Sequence, residues 1–218
     1  MAPFPAPAPP PDCQLCPRLA GFRQQNREKY PAYHNNPVPP FAGADPPRLL
    51  IVGLAPGLQG ANATGRPFTN DYAGDLLYET LGLYGFAEGQ YDCRADDGLR
   101  LKACRITNAV RCVPPENKPL PEEIKTCGSF LKAELGMAMP SVRAIVALGT
   151  VAHAAVLSAR GLRKAAFPFA HGAVHDLGDG VRLFDSYHCS RYNTNTGRLT
   201  TPMFQDVFRN VRAWVDGG

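Results

Sequence analysis

The stretch Arg48-Leu49-Leu50-Ile51-Val52-Gly53-Leu54 (RLLIVGL) decides the fold. Its aliphatic run has no alternation of polar and apolar residues. It ends in glycine, with Pro56 close behind. A short run of this kind reads as a strand buried on both faces, as in a parallel sheet covered by helices. Arg105–Val110 (RITNAV) and Val142–Leu148 (VRAIVAL) repeat the pattern. Val174–Leu177 and Val181–Ser186 flank Gly178-Asp179-Gly180, which reads as a turn between two strands. Helical segments alternate with these strands. Gly74–Tyr84 puts Leu77, Leu81 and Tyr84 on one face. Pro121–Leu135 opens on proline and acidic residues, which suit a helix N-terminus. Another helix begins in Thr150–Leu157. The last spans Thr201–Val215, with a core-facing stripe of Met203, Phe204, Val207, Phe208, Val211, Trp214 and Val215. Strands alternating with helices predict an α/β domain around a mainly parallel sheet. Ligands bind such sheets at the carboxyl ends of the strands, so the loops after Leu54, Val110, Leu148 and Ser186 carry the function.

The composition sets bounds on that reading. At 218 residues, 44% of them hydrophobic and 19% charged, the chain can bury the core of one domain. Proline clusters in residues 1–12 and 31–47, where regular structure is not expected, and the first of these reads as a disordered tail. The domain is read as residues 13–218, opening with a short helical arm over Cys13–Tyr30. No apolar run approaches the roughly 20 residues that span a bilayer, and the N-terminus lacks a secretory pattern. A cytoplasmic monomer without membrane contact is the expectation. Thiols stay reduced in that compartment, so the seven cysteines read as ligands or buried thiols. A net charge of +4 permits a nucleic-acid partner without demanding one.

Cys13 and Cys16 form a C-x2-C pair, and Cys112 and Cys127 can complete a four-thiolate set. Spacing alone leaves zinc, an iron–sulfur cluster and ordinary buried thiols all open. Cys93, Cys104 and Cys189 have no assigned role and read as buried thiols. The loop Gly53–Asp75 (GLAPGLQGANATGRPFTNDYAGD) is glycine-rich, so its backbone can approach a ligand closely. Gly65 is followed by Arg66 and Pro67, which argues against a phosphate-binding Walker loop and a nucleotide cofactor. The alternative is a pocket for a flat ring, with Phe68 stacking on it; core packing would also explain Phe68. Asp75 is either a functional carboxylate or a helix first-turn charge. Tyr187–Thr201 (YHCSRYNTNTGRLTT) gathers His188, Ser190, Arg191, Asn193 and Arg198, residue types that suit phosphate contacts. Tyr192 has the shape to wedge among bases. A solvated loop leading to a cap at Thr200 or Thr201 is the plainer reading.

Taken together, GLAPG with TGRPFT, ITNAVRC with a proline-rich loop and Cys127, HCSRYNTNTGRLT, and the N-terminal cysteine pair resemble the uracil-DNA glycosylase superfamily. The resemblance is to its family-five, B-type, iron–sulfur branch, and it runs from Cys13 to the last helix. It implies a three-layer α/β/α sandwich with a central four-stranded, mainly parallel sheet. It implies a [4Fe–4S] cluster on Cys13, Cys16, Cys112 and Cys127, and a DNA partner carrying uracil or other damaged bases such as hypoxanthine. The implied activity is hydrolysis of the N-glycosidic bond by base flipping, leaving an abasic site for base excision repair. In that picture Gly53, Ala55, Pro56, Gly57, Phe68 and Asn108 hold the flipped base, and Asp75, Asn108 and His188 act in catalysis. Ser190, Arg191 and Asn193 contact DNA. Ala55 stands where the wider superfamily carries an acidic or amide residue, so Asp75 is the expected substitute. A non-catalytic binder of damaged or single-stranded DNA is the alternative from another class, and a redox module suggested by the cysteines is a third.

Overall fold

Strand β2 (Leu49–Gly53) is buried along its whole length, as its unbroken apolar run requires. It lies between two parallel neighbours, β5 (Cys104–Asn108) and β6 (Ala144–Leu148). β6 in turn pairs in parallel with β8 (Arg182–Ser186). These four parallel strands are the expected sheet. Two antiparallel edge strands, β1 (Phe41–Ala42) beside β5 and β7 (Val174–Asp176) beside β8, extend it to six in the order β1-β5-β2-β6-β8-β7. The expected count of four is therefore corrected. β1 is too short to show periodicity and lies within the proline-rich stretch expected to be irregular. A second small sheet pairs β3 (Ala87–Glu88) with β4 (Arg100–Leu101). This computed structural model describes residues 8–138 and 140–217. Most of the expected disordered tail, residues 1–7, lies outside the described residues; Pro9 is buried.

Side chains alternate across the sheet, so each strand feeds two cores. Leu49, Ile51, Cys104, Ile106, Ala144, Val146 and Phe184 pack against α3 (Tyr72–Leu83) and α7 (Thr201–Gly217). Leu50, Val52, Ile145, Ala147 and Leu183 pack against α4 (Pro121–Ala138) and α5 (Thr150–Ala159). The result is the three-layer α/β/α arrangement. The predicted stripe of α7 is borne out. Phe204, Val207, Phe208, Val211 and Val215 are buried, and Met203 and Trp214 pack at the margin. Thr200 caps this helix by accepting from the Met203 amide. Gly178, Asp179 and Gly180 all take positive φ, of 83°, 53° and 73°, which makes the predicted tight turn between β7 and β8.

α1 (Pro17–Lys29) follows the cysteine pair and is polar on most of its surface, burying only Leu19 and Ala20 among its apolar residues. Polar ties hold it. Arg18 donates two 2.8 Å bonds to the Glu123 carboxylate at the start of α4. Arg27 reaches Asp12 and Asn36.

A buried ionic knot joins β5 to α4. Glu134 accepts from Arg105 at 2.5 Å, from Thr107 at 2.9 Å and from Arg111, all with little exposure. Burial alone would raise the Glu134 pKa, but the Arg111 and Arg105 guanidiniums outweigh it and the net shift is downward. The knot's contribution is therefore present above the ordinary carboxylate value and is lost as pH falls through the lowered one. Glu134→Ala leaves two guanidiniums without their anion. Urea denaturation is expected to show a loss of about 3–5 kcal/mol, with the variant's stability depending less on pH in the acid range than the parent's.

Candidate active site and cysteine pocket

Period-two alternation puts Asn108, the last residue of β5, on the same face as Cys104 and Ile106, the side covered by α3 and α7. Gly53 ends β2 directly opposite Asn108. A methyl group on Gly53 would lie 2.4 Å from Asn108 Oδ1 and 2.6 Å from Phe68 Cζ. The missing side chain is what lets the amide and the ring meet above the strand end. Phe68 is 6% exposed and stacks on His188, with centroids 6.0 Å apart and planes 28° apart. His188 follows β8, so residues from three strand ends and one long loop converge on one cleft. Gly149, at φ 95° between β6 and α5, comes close to the Cβ of His188.

The loop bearing Phe68 is strained and clamped. Phe68 and Asn70 take φ of 55° and 58°, a region costly for side chains of this size. Arg66, buried, holds Asp97 through two bonds of 2.8 and 2.7 Å and donates to Thr69 at 2.6 Å. Its guanidinium lies over Phe41, Tyr78 and Tyr91. The bidentate bond from Arg66 holds the Asp97 carboxyl well below the usual carboxylate range. Tyr78 and Tyr91 donate their hydroxyls to the carbonyls of Pro67 and Phe68. No single signal in the sequence links Arg66 to Asp97, 31 residues away.

Asp75 is exposed on α3, where it accepts from the Cys93 thiol at 3.7 Å. Cys93 is exposed too, unlike Cys104 and Cys189, which are buried as expected. Asp71, also exposed, is the acid whose charge acts on His188. Its Oδ2 lies 3.1 Å from where a Gly57 Cβ would stand, and its Cβ 3.0 Å from the same position on Gly60. Asp71 occupies the N-cap position of α3 without making a side-chain cap bond, so its carboxylate stays aimed across the loop. Burial pushes the His188 pKa down, and the Asp71 charge pulls it partly back. The imidazole is thus neutral at pH 7. Sequence reading assigned Asp71 no role, because it started the helix at Gly74 and took Asp75 as the expected carboxylate.

Pro56 is buried and Gly57 half-buried in the turn after β2, where the Asn62 amide donates to the Gly57 carbonyl at 3.0 Å. Ala55 packs instead toward Leu19, Val110, Cys112 and Cys127. Of the expected DNA contacts, Arg191 is exposed, with its guanidinium 5.1 Å from the Tyr72 ring. Ser190 caps the short helix α6 (Arg191–Asn195) by accepting from the Asn193 amide. The Asn193 side chain donates to the His188 carbonyl at 2.8 Å. Ser190 and Asn193 therefore shape the His188 loop, leaving Arg191 and the 72%-exposed Tyr192 facing outward.

Cys13, Cys16, Cys112 and Cys127 line one pocket with Leu19, Arg23 and Phe130. Burial pushes the Cys16 thiol up to about 11, with the Cys127, Glu123 and Cys13 charges adding to it. Burial raises Cys112 to about 11 as well. Holding all four as thiolates requires a cation among them. Arg23 donates to Cys112 Sγ at 3.5 Å, and the Arg111 amide donates to Cys127 Sγ at 3.4 Å. The buried Arg23 Nε has no partner. Among the described residues, no three of these sulfurs lie within 4.8 Å of one another.

An open α/β sheet with an aromatic and amide cleft at its strand ends is the frame of a base-handling enzyme, and comparison with known proteins agrees. The profile of the uracil DNA glycosylase superfamily matches residues 40–212, and the chain belongs to that superfamily. Within it the chain stands with the type-5 group. A type-5 uracil-DNA glycosylase of Thermus thermophilus is 46% identical over 205 residues, 92% of each chain. One from Pyrobaculum aerophilum is 42% identical over 211 residues, 95% of this chain and 90% of the relative. A type-4 uracil-DNA glycosylase of that same organism is 33% identical over 200 residues, 89% of this chain and 90% of the relative.

Two outcomes test the geometry. Gly53→Ala should displace the Phe68 ring and the Asn108 amide, seen as chemical-shift changes at both residues while the far-UV dichroism stays unchanged. Asp71→Asn removes the charge that favours the imidazolium, so an NMR titration should show the His188 pKa falling further. An unmoved His188 would place the Asp71 carboxylate elsewhere.

Proposed function

We propose that this protein excises uracil from DNA, and other deaminated bases such as hypoxanthine, by hydrolysing the N-glycosidic bond and leaving an abasic site. The meeting of Phe68, Asn108 and His188 over Gly53 carries this reading. The target base leaves the helical stack and enters the cleft. Phe68 stacks on it, the backbone around Gly53, Pro56 and Gly57 lines its edge, and the Asn108 amide offers a donor and an acceptor to that edge. As the C1′–N bond breaks, negative charge gathers on the base and positive charge on the sugar. His188, neutral, donates a hydrogen bond to the base oxygen where charge develops. Asp71 takes the role first expected of Asp75: its carboxylate steadies the oxocarbenium-like sugar or orients the attacking water. Arg191 contacts phosphate, with Ser190 and Asn193 holding its loop in place.

The four-cysteine pocket offers the four thiolates that an iron–sulfur cluster takes as ligands. Cys13, Cys16, Cys112 and Cys127 would hold a [4Fe–4S] cluster, which supplies the cross-link that fixes the arm to β5 and α4. The polar character of α1 supports that role.

A labelled duplex with one G·U pair, incubated with iron-loaded protein and then treated with alkali, should be cut at the uracil, while a cytosine-containing control stays whole. In single turnover, Asp71→Asn and His188→Ala should each slow excision by about 10²–10³. Asp75→Asn should stay near the parent rate. Intact uracil-containing DNA would sink the assignment and leave a non-catalytic DNA binder.

A further inference from the structure

Away from the cleft, on the α4 and α5 side of the sheet, three residues bring ligand atoms within 4.8 Å of one another: His153 of α5, His175 of β7 and Asp185 of β8. Asp185 is fully buried and His153 nearly so. His153 Nε2 lies 2.9 Å from the Phe167 carbonyl, and its Nδ1 lies 2.8 Å from Asp185 Oδ1. A carbonyl only accepts, so Nε2 carries the ring proton, and in the neutral imidazole Nδ1 presents a bare lone pair to the carboxylate. Two lone pairs at that distance repel. Either a proton, carried by His153 or by the Asp185 carboxyl, or a metal ion must lie between them. His175 Nε2, 3.2 Å from Asp185 Oδ2, faces the other oxygen of the same carboxylate.

We propose that His153 Nδ1, His175 Nε2 and both carboxylate oxygens of Asp185 form a second metal site, one that takes a zinc-type divalent ion in a structural role. Two imidazoles and a carboxylate suit zinc over magnesium or calcium, which prefer all-oxygen shells. A backbone carbonyl holding the far N–H of a ligating histidine is the usual way such a ring is oriented. Bonds of about 2.0–2.1 Å put ligand atoms of separate residues about 3.3 Å apart, with the Asp185 carboxylate taking one corner of a distorted tetrahedron, so His153 Nδ1 has to draw back by about 0.5 Å from Asp185 Oδ1. The rings of Phe169 and Phe167 meet His153 and His175 edge-on at 5.5 and 5.7 Å and wall the site. Entry is past His175, whose side chain is 12% exposed on the edge strand. The ion would pin α5, β7 and β8 together two residues before Tyr187. His171, from the same 167–172 loop, accepts from the Tyr187 amide at 3.2 Å. The site therefore lies under the segment that carries His188.

Iron-loaded protein, soaked in zinc chloride and desalted, is expected to retain about one zinc per chain beyond its iron. Diffraction at the zinc edge should place an anomalous peak between His153, His175 and Asp185. His175→Gln, on the half-buried edge strand, and the more severe Asp185→Asn should each weaken zinc retention by about tenfold or more while leaving iron content unchanged. Zinc that washes out of the parent protein, is kept equally by His175→Gln, or gives a peak only at the cysteines would overturn the site and leave a proton between His153 and Asp185.

Discussion

Burial of β2 on both faces is the constraint from which the rest follows. A strand with helices packed above and below has no room for polar side chains along its length. Its chemistry is displaced to the carboxyl end, where the backbone leaves the sheet. There Gly53 removes the last side chain, and Asn108 and Phe68 fill the space that a methyl group would take. Among the four parallel strands β2 comes first in the chain, and neighbours are added on either side of it, β5 first and then β6. Brought together in this way, the loops after β2, β5 and β8 open toward a shared cleft.

Three buried ionic groups hold segments of chain against the frame. Arg66 and Asp97 hold the positive-φ turn at Phe68. Glu134, with Arg105 and Arg111, anchors α4 to the strand that ends in Asn108. Asp185, with His153 and His175, lies just before the His188 segment. A buried ionic group costs desolvation that its partners must offset, and it contributes little net stability. What it gives here is position: in each case the next few residues of chain reach the cleft.

The N-terminal arm is held differently. It buries little apolar surface, so hydrophobic packing alone fixes it weakly. Arg18, Arg23 and Arg27 bond it to Glu123, Cys112 and Asn36, and the cysteine pocket closes against Val110 and Phe130. Ala55, directly after β2, packs on that same patch. The pocket and the cleft thus share one short turn of chain.

Much of this was legible in the sequence, because strands buried on both faces and amphipathic helices declare themselves by local pattern. β2, β5, β6, β8 and the stripe of α7 were all readable in this way; the four pocket cysteines as one set and Asn108 were singled out by the family resemblance instead. β1, β3 and β4 were not, because two residues carry no period. Sequence reading singled out Asp75 at the start of α3. Packing of the helix against the 57–60 turn sets the Asp71 carboxylate beside Gly57 and Gly60 and within reach of His188, while Asp75 lies beside Cys93; both are exposed. Local pattern fixes which segments form and which face they bury, since it depends on neighbours three or four residues away. Which polar side chains meet depends on contacts between segments far apart in the chain, and the tertiary structure alone decided those.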